Sequence, residues 1–171
     1  MTSKTSEILM GEHKEILRVV DFLAQEADRL EKGKRVDEDI LKKLVSFIRN
    51  YADKIHHAKE EDILFCEFET SCSHCNPVPQ MLHEHELGRD FVKGIENGMK
   101  EKNKVKIIEN MKGYASLLKE HIFKEDNILY PMAEDSINEK VKREMLAKFM
   151  ELDKKKAKEI KENVNFARSL K

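Results

Sequence analysis

Two segments of the sequence place a histidine four residues before a glutamate. His56 precedes Glu60 in the segment HHAKEEDILF, and His121 precedes Glu125 in the similar segment HIFKEDNILY. On an α-helix, side chains four residues apart share a face, so each imidazole lies beside its carboxylate. Imidazole and carboxylate groups are common protein ligands for iron, zinc and manganese. The repeated spacing therefore indicates that both segments contribute to a metal site.

Both pairs lie within the apolar stripe of a predicted helix, where the protein core should be. The same test identifies two further histidines, because His13 follows Leu9 by four residues and His85 follows Met81 by four. An unpartnered carboxylate in an apolar core is costly, and a bound cation removes that penalty. The predicted ligands are His13, His56, Glu60, His85, His121 and Glu125. These are too many for one tetrahedral ion and suit two metal ions bridged by the carboxylates.

Three neighbouring side chains are weaker candidates. His57 and Glu61 repeat the four-residue spacing on a more polar stripe, which favours a solvated position or an outer one that orients the ligands; direct ligation is the alternative. His83 lies about 200° around the helix from His85, so the two cannot face the same line. His83 is either a fifth histidine ligand or a residue at the outside or entrance of the site. Glu84 is expected to be a surface charge, and the less favoured alternative is a position beside the ligands.

The cysteines form a second, weaker motif. Cys72 and Cys75 flank His74, and Cys66 lies nearby. This spacing is compatible with a redox dithiol, with a small zinc site that uses His74, or with a loop that has no such function. Three cysteines do not suggest a disulfide framework, so we expect a reducing cytoplasm.

The elements that position these residues are predicted to be helices. Apolar residues recur at helical spacing, and the chain has only 6 Gly and 3 Pro. A loop is expected over residues 66–79, where Pro77 and Pro79 oppose a helix. The expected helices span about 6–31, from Asp37 or Asp39 to 65, 80–98, 104–130, and a last segment over 137–170. The prediction is an all-α protein with one domain over 1–171: an up-down-up-down four-helix bundle at about 6–132 and an extra C-terminal helix at about 136–171.

Charge and hydropathy exclude some classes of partner. The 32 Lys and Arg residues balance the 33 Asp and Glu residues and are mixed with them along the chain. We therefore expect neither nucleic acid nor a membrane surface as a partner. No apolar run approaches 18 residues, and the first residues lack the apolar core of a secretory signal.

The metal motifs resemble those of the haemerythrin-like HHE cation-binding family. The similarity rests on His13, on the two His-x-x-x-Glu motifs and on the run EHELGR that contains His85, and it covers about 6–132. The resemblance implies a four-helix bundle that holds two non-haem Fe ions, with Zn or Mn as substitutes. It implies that the four histidines are terminal ligands and that Glu60 and Glu125 bridge the ions.

One family feature is missing from the sequence. Oxygen-carrying haemerythrins have a fifth histidine one turn from the third-helix ligand, but Met81 and Arg89 occupy those positions here. His83, His57 or water would take that place. The difference argues against simple oxygen carriage and favours a reactive or sensing site.

Three hypotheses follow for the function. The first is a binding protein whose di-iron centre binds or senses O₂ or NO, or handles iron. The second is an enzyme on the same scaffold that reduces NO or peroxide, or donates iron for iron–sulfur repair. The third is a bundle in which zinc has a structural role. We favour the binding protein over the enzyme, and the oligomeric state is left open.

Overall fold

The computed structural model describes residues 3–71 and 76–170, and all regular secondary structure in these ranges is helical. This confirms the predicted all-α class. The six helices are α1 (Lys4–Glu31), α2 (38–71), α3 (Val78–Lys100), α4 (104–136), α5 (Glu139–Lys155) and α6 (Ala157–Ser169). None of the described helices is both long and apolar enough to cross a membrane.

Short polar side chains define where four of the helices begin. Ser3, Asp37, Asn103 and Asn138 precede α1, α2, α4 and α5, and each side chain accepts a hydrogen bond from a backbone N–H in the first turn. This satisfies donors that have no partner inside the helix. After α1 the chain turns at Gly33, whose φ of 85° suits a residue without a side chain.

The first four helices pack around a common interior. Helix α4 lies between α1 and α3, and α2 contacts all three of these helices. Helices α5 and α6 pack across α1 and α2 on the outside. The C-terminal segment was expected to be one helix, but it breaks at Lys156, whose φ of −106° and ψ of 12° are not helical.

The buried apolar side chains form two clusters. The larger one includes Ile16 of α1 and Phe47 of α2, and the smaller one includes Leu9 of α1, Phe65 of α2 and Phe149 of α5. Fully burying one such side chain contributes about 1.5–3 kcal/mol. On each of the first four helices, the predicted histidine falls between residues of the two clusters. The candidate ligands therefore form a polar layer inside an apolar core.

Three segments near this layer are π-helical rather than α-helical. They are Ile48–His57 and Glu60–Leu64 in α2, and Glu125–Leu129 in α4. A π-helix bonds residue i to i+5, so each turn contains an extra residue and the inward-facing positions shift. Ile128 lies seven residues after His121, a spacing that in an α-helix would put both on one face, but it is 49% exposed and Leu129 is buried instead.

Two predicted helix ends were wrong. Helix α2 continues to Ser71, so residues 66–71 are not a loop. Helix α4 continues through Pro131 to Ser136. Pro131 directly follows the π-helical segment, where the α-helical hydrogen-bond ladder is already interrupted, so the missing N–H is tolerated.

The cysteine motif falls mostly outside the described part of the chain. Cys72, His74 and Cys75 lie outside the described residues, and Cys66 is exposed near the end of α2. The redox, zinc and non-functional interpretations of this motif stay open.

Replacement of Phe149 tests whether α5 is part of the packed core. We expect Phe149→Ala to lower the free energy of unfolding by about 3–5 kcal/mol, because a fully buried aromatic ring is lost. The control is Met150→Ala, whose side chain is 62% exposed and whose loss should cost less than about 0.5 kcal/mol. Urea unfolding followed by circular dichroism measures both, and equal small effects would contradict the packing of α5.

Candidate metal centre

The first group of potential ligands contains two histidines and two glutamates. His13 comes from α1, His56 and Glu60 from α2, and Glu125 from α4; all four are buried. Their ligand atoms lie within 4.8 Å of one another. The Nε2 atom of His13 is 3.2 Å from Oε2 of Glu125, and Nε2 of His56 is 3.5 Å from Oε2 of Glu60. One metal ion could contact all four side chains.

The second group contains three histidines. His57, His85 and His121 come from α2, α3 and α4, and their ligand nitrogens also lie within 4.8 Å of one another. The Nε2 atoms of His85 and His121 are 3.0 Å apart, and the ring of His57 stacks on that of His85 with centroids 3.7 Å apart. All three rings are buried. A second ion could be held by these imidazoles.

The position of His57 differs from the one favoured by its polar stripe. His57 ends the π-helical segment Ile48–His57, and both it and His56 are buried. In an α-helix, adjacent side chains point about 100° apart, whereas the wider π turn brings the two rings onto the core side. The sequence features that could have indicated this position of His57 were its place next to His56 and its four-residue spacing from Glu61. His83, in contrast, is exposed on α3 and stands apart from both groups, so the structure does not support it as the fifth ligand.

The two glutamates connect the groups. Glu125 directs Oε2 toward His13 and Oε1 to within 3.2 Å of Nε2 of His121. The Oε2 atom of Glu60 is 3.5 Å from Nε2 of His56 and 3.6 Å from Nε2 of His85. Each carboxylate therefore reaches histidines of both groups, as a carboxylate that bridges two ions must do.

The free oxygens of these glutamates show that the site suits a cation. Oε2 of Glu60 and both oxygens of Glu125 are buried and accept no hydrogen bond. The remaining oxygen of Glu60 accepts a hydrogen bond of 2.6 Å from the Tyr130 hydroxyl. Buried polar atoms without partners are rare because each costs about 1–3 kcal/mol. A metal ion would supply the missing partner to all three oxygens.

The protonation of the metal-free pair supports the same conclusion. Burial and the charge of Glu125 raise the pKa of Glu60 well above its usual value. Burial would also raise the pKa of Glu125, but His121 and His13 lower it well below its usual value. The pKa values of the two adjacent buried carboxyl groups are therefore shifted in opposite directions. A bound cation would let both ionise.

Every histidine of the two groups is oriented by an acidic side chain. The Nδ1 atoms lie 2.7–3.4 Å from carboxylate oxygens, in the pairs His13–Asp126, His56–Glu12, His57–Asp53, His85–Glu61 and His121–Glu84. In the neutral ring such a bond places the proton on Nδ1, so Nε2 is the nitrogen that would bind a metal. Burial and the charge of His85 lower the pKa of His57 to about 3, so this imidazole is neutral near pH 7 and able to bind a metal.

Most of these acids could not be identified as partners from the sequence. Glu84, expected at the surface, is only 5% exposed and accepts hydrogen bonds from His121 and Lys124. Glu61 takes the outer position that its polar stripe favoured, and Arg89 donates to it and to Asp53. Burial alone would raise the pKa of Glu61, but the hydrogen bonds from His85 and Arg89 lower it to about 2.

A spacing rule links four of the five acids to the ligands. Each is directly adjacent in sequence to a candidate ligand on its own helix, yet it orients a histidine of a neighbouring helix. Glu12, for example, directly precedes His13 in α1 and orients His56 in α2. The sequence shows that these acids are adjacent to candidate ligands. Which histidine each acid orients depends on how the helices pack.

A small cavity adjoins the second group. It has a volume of about 20 Å³ and is lined by the three histidines, by Arg89 at one edge, and by apolar side chains that include Val92, Tyr114 and Leu118. This volume is close to that of a single water-sized probe. The cavity could admit only a very small molecule without rearrangement of its walls.

The comparisons with known proteins agree with this geometry. A protein-family model described as the Hemerythrin HHE cation binding domain matches residues 4–133. The matched region contains both histidine groups and both glutamates and ends before α5. No curated protein and no solved structure matches the chain. The family resemblance inferred from the motifs is therefore confirmed.

Replacement of Glu60 by glutamine tests how much the buried carboxyl group destabilises the metal-free protein. In Glu60→Gln the side-chain oxygen can still accept the Tyr130 hydrogen bond, but the side chain is neutral at every pH and no longer has an ionised form that burial disfavours. Because the folded-state pKa of Glu60 is raised, the metal-free wild type loses stability as the pH rises above the ordinary glutamate pKa. We expect the metal-free variant at pH 7 to be more stable by about 1–3 kcal/mol.

Urea unfolding in a chelating buffer between pH 5 and 8 measures this difference. The control is Asp62→Asn, since Asp62 lies two residues away on the exposed face of α2. A Glu60→Gln variant that is less stable than the wild type across this pH range would contradict the assignment of an uncompensated buried carboxyl.

Proposed function

Because the chain belongs to the haemerythrin HHE cation-binding family, we propose that it holds two non-haem iron ions and binds or senses O₂ or NO, or handles iron. The proposal includes the up-down-up-down order of the first four helices that the short connections favour. It also includes a cytoplasmic location, from the odd number of cysteines.

The observation that carries the proposal is the sharing of two buried carboxylates by two histidine groups. His13 and His56 form one position with Glu60 and Glu125. His57, His85 and His121 form the other, and the same two glutamates reach into it. A single ion cannot use all seven side chains, whereas two ions can.

The donor set favours iron over a structural zinc site. Structural zinc is held by four ligands in a closed tetrahedral site, typically rich in cysteine. Here the donors are imidazole and carboxylate, and the second position has three histidines besides the shared glutamates. Such nitrogen and oxygen donors suit iron, with zinc or manganese as substitutes. When bound, ferrous iron supplies affinity for a diatomic molecule.

The protein's own groups explain why a very small ligand would be favoured. The cavity beside His57, His85 and His121 has mostly apolar walls, and its volume of about 20 Å³ leaves room only for a molecule of about the size of water. The Tyr130 hydroxyl donates a hydrogen bond to Glu60 and lies 3.3 Å from Nε2 of His13. These contacts fix the ligands before metal binding, so little rearrangement is needed.

The test of this function combines metal analysis with visible spectra. We expect about two irons per chain in protein reconstituted with Fe(II) without oxygen, and a change in the visible spectrum on adding O₂ or NO. Colourless protein that retains zinc and does not respond to either gas would support the structural alternative instead. Catalytic consumption of NO or peroxide would support the enzyme.

Removing a candidate ligand of the centre should lower metal content and stability together. His121→Ala and Glu125→Ala are expected to bind fewer than two irons and to lose the rise in melting temperature that metal gives the wild type. Elemental analysis and thermal unfolding with and without metal provide the two values. Unchanged iron content in either variant would refute the proposal.

The identity of the fifth histidine is tested by a matched pair of variants. We expect His57→Ala to lose about one of the two irons, because a ligand of the second position is removed. His83→Ala should keep both, because His83 is exposed. Elemental analysis after anaerobic reconstitution distinguishes them, and loss of iron from His83→Ala with retention in His57→Ala would reverse the assignment.

A further inference from the structure

One buried cation connects the metal centre to the C-terminal helices. Lys59 directly precedes Glu60, but its side chain points away from the centre and is 0% exposed. Its Nζ atom lies 2.6 Å from Oδ1 of Asp153 in α5 and also forms an ion pair with Glu12 in α1. The ring of Phe149 lies 5.7 Å from the same ammonium. A buried ammonium is tolerated only when such partners replace its water.

Glu12 connects the buried Lys59 to the candidate ligand His56. One of its carboxylate oxygens pairs with Lys59, and the other accepts a hydrogen bond of 3.0 Å from Nδ1 of His56. A continuous chain of polar contacts therefore runs from Asp153 through Lys59 and Glu12 to His56. Asp153 is the most exposed member, at 35%, and His56 is 2% exposed.

The other histidines have no comparable link to α5 among the described contacts. The acids that orient His57 and His85 are both paired with Arg89 of α3, and the acid that orients His121 is paired with Lys124 of α4. Those partners lie within the region matched by the family model, residues 4–133, whereas Asp153 lies beyond it. The connection through Asp153 therefore belongs to the extension and not to the family domain.

We propose that Asp153 is a positioning residue for the metal centre, which holds His56 toward the two buried glutamates through Lys59 and Glu12. Without Asp153, the buried ammonium has one carboxylate partner instead of two, and Glu12 turns its second oxygen from His56 toward the ammonium. His56 then loses the hydrogen bond that directs its Nε2 atom. The inference rests on the two-metal function proposed above and assigns to α5 a role at the His13–His56 position.

The experiment compares Asp153→Asn with the wild-type full-length chain, using Zn²⁺ as the probe in competition with a coloured chelator. We expect the wild type to bind two equivalents. The variant should bind one equivalent with wild-type affinity and the other about 10–100-fold more weakly, the usual effect of losing an outer partner of a metal histidine. Asp153→Glu should restore most of the affinity. Glu151→Gln, an exposed change on the same helix, is the control.

A spectroscopic measurement separates positioning from general stability. In metal-free protein, the imidazole ¹⁵N resonances of His56 should shift in Asp153→Asn while those of His85 and His121 stay unchanged. Wild-type affinity for both equivalents, or an equal loss at both, would overturn the proposal. So would an unchanged His56 resonance.

A second variant covers the case in which Asp153→Asn does not fold. Lys59→Met combined with Asp153→Leu removes both charges and retains apolar bulk, a type of replacement that buried ion pairs often tolerate. It should show the same selective loss, because Glu12 no longer has its cation, and wild-type affinity in this variant would refute the proposal. Failure of the wild type to bind two equivalents would instead refute the proposed function itself.

Discussion

Two carboxylates buried in an apolar core dominate the physical chemistry of this protein. Glu60 and Glu125 are both 0% exposed, and three of their four oxygens accept no hydrogen bond. An apolar core of this kind would be more stable with other side chains at these positions. Carboxylate oxygens buried without hydrogen-bond partners suit a positively charged group bound between the helices, and the imidazoles around them are the groups that would hold a metal there.

Contacts from several helices orient those imidazoles toward the two glutamates. Acids adjacent to the candidate ligands accept hydrogen bonds from histidines of neighbouring helices and fix the orientation of those rings. Each of the helices α1 to α4 therefore supplies a candidate ligand and also an acid that orients a histidine of another helix. The π-helical segments add to this by turning adjacent residues, such as His56 and His57, toward the same interior. The C-terminal helices cover α1 and α2 and add the contact of Asp153 with the buried Lys59.

The sequence predicted the parts of the fold and site that depend on local periodicity. The all-α class and the family followed from apolar spacing and from the two His-x-x-x-Glu motifs, and the six predicted ligands are all buried close to one another. The inward position of His57 was the less favoured of two alternatives because the prediction assumed α-helical turns, and π-helical hydrogen bonding leaves no clear mark in a single sequence. A position of Glu84 beside the ligands was the less favoured alternative, and its partner could not be named because His121 lies on another helix. Such contacts depend on packing, which periodicity along one helix does not report.

The most direct test of the account is a crystal structure of the iron-loaded protein with anomalous diffraction data collected at the iron absorption edge. We expect two iron peaks, one beside His13 and His56 and the other among His57, His85 and His121, with Glu60 and Glu125 contacting both. A single peak, or iron bound elsewhere on the chain while these glutamates contact no metal, would contradict it.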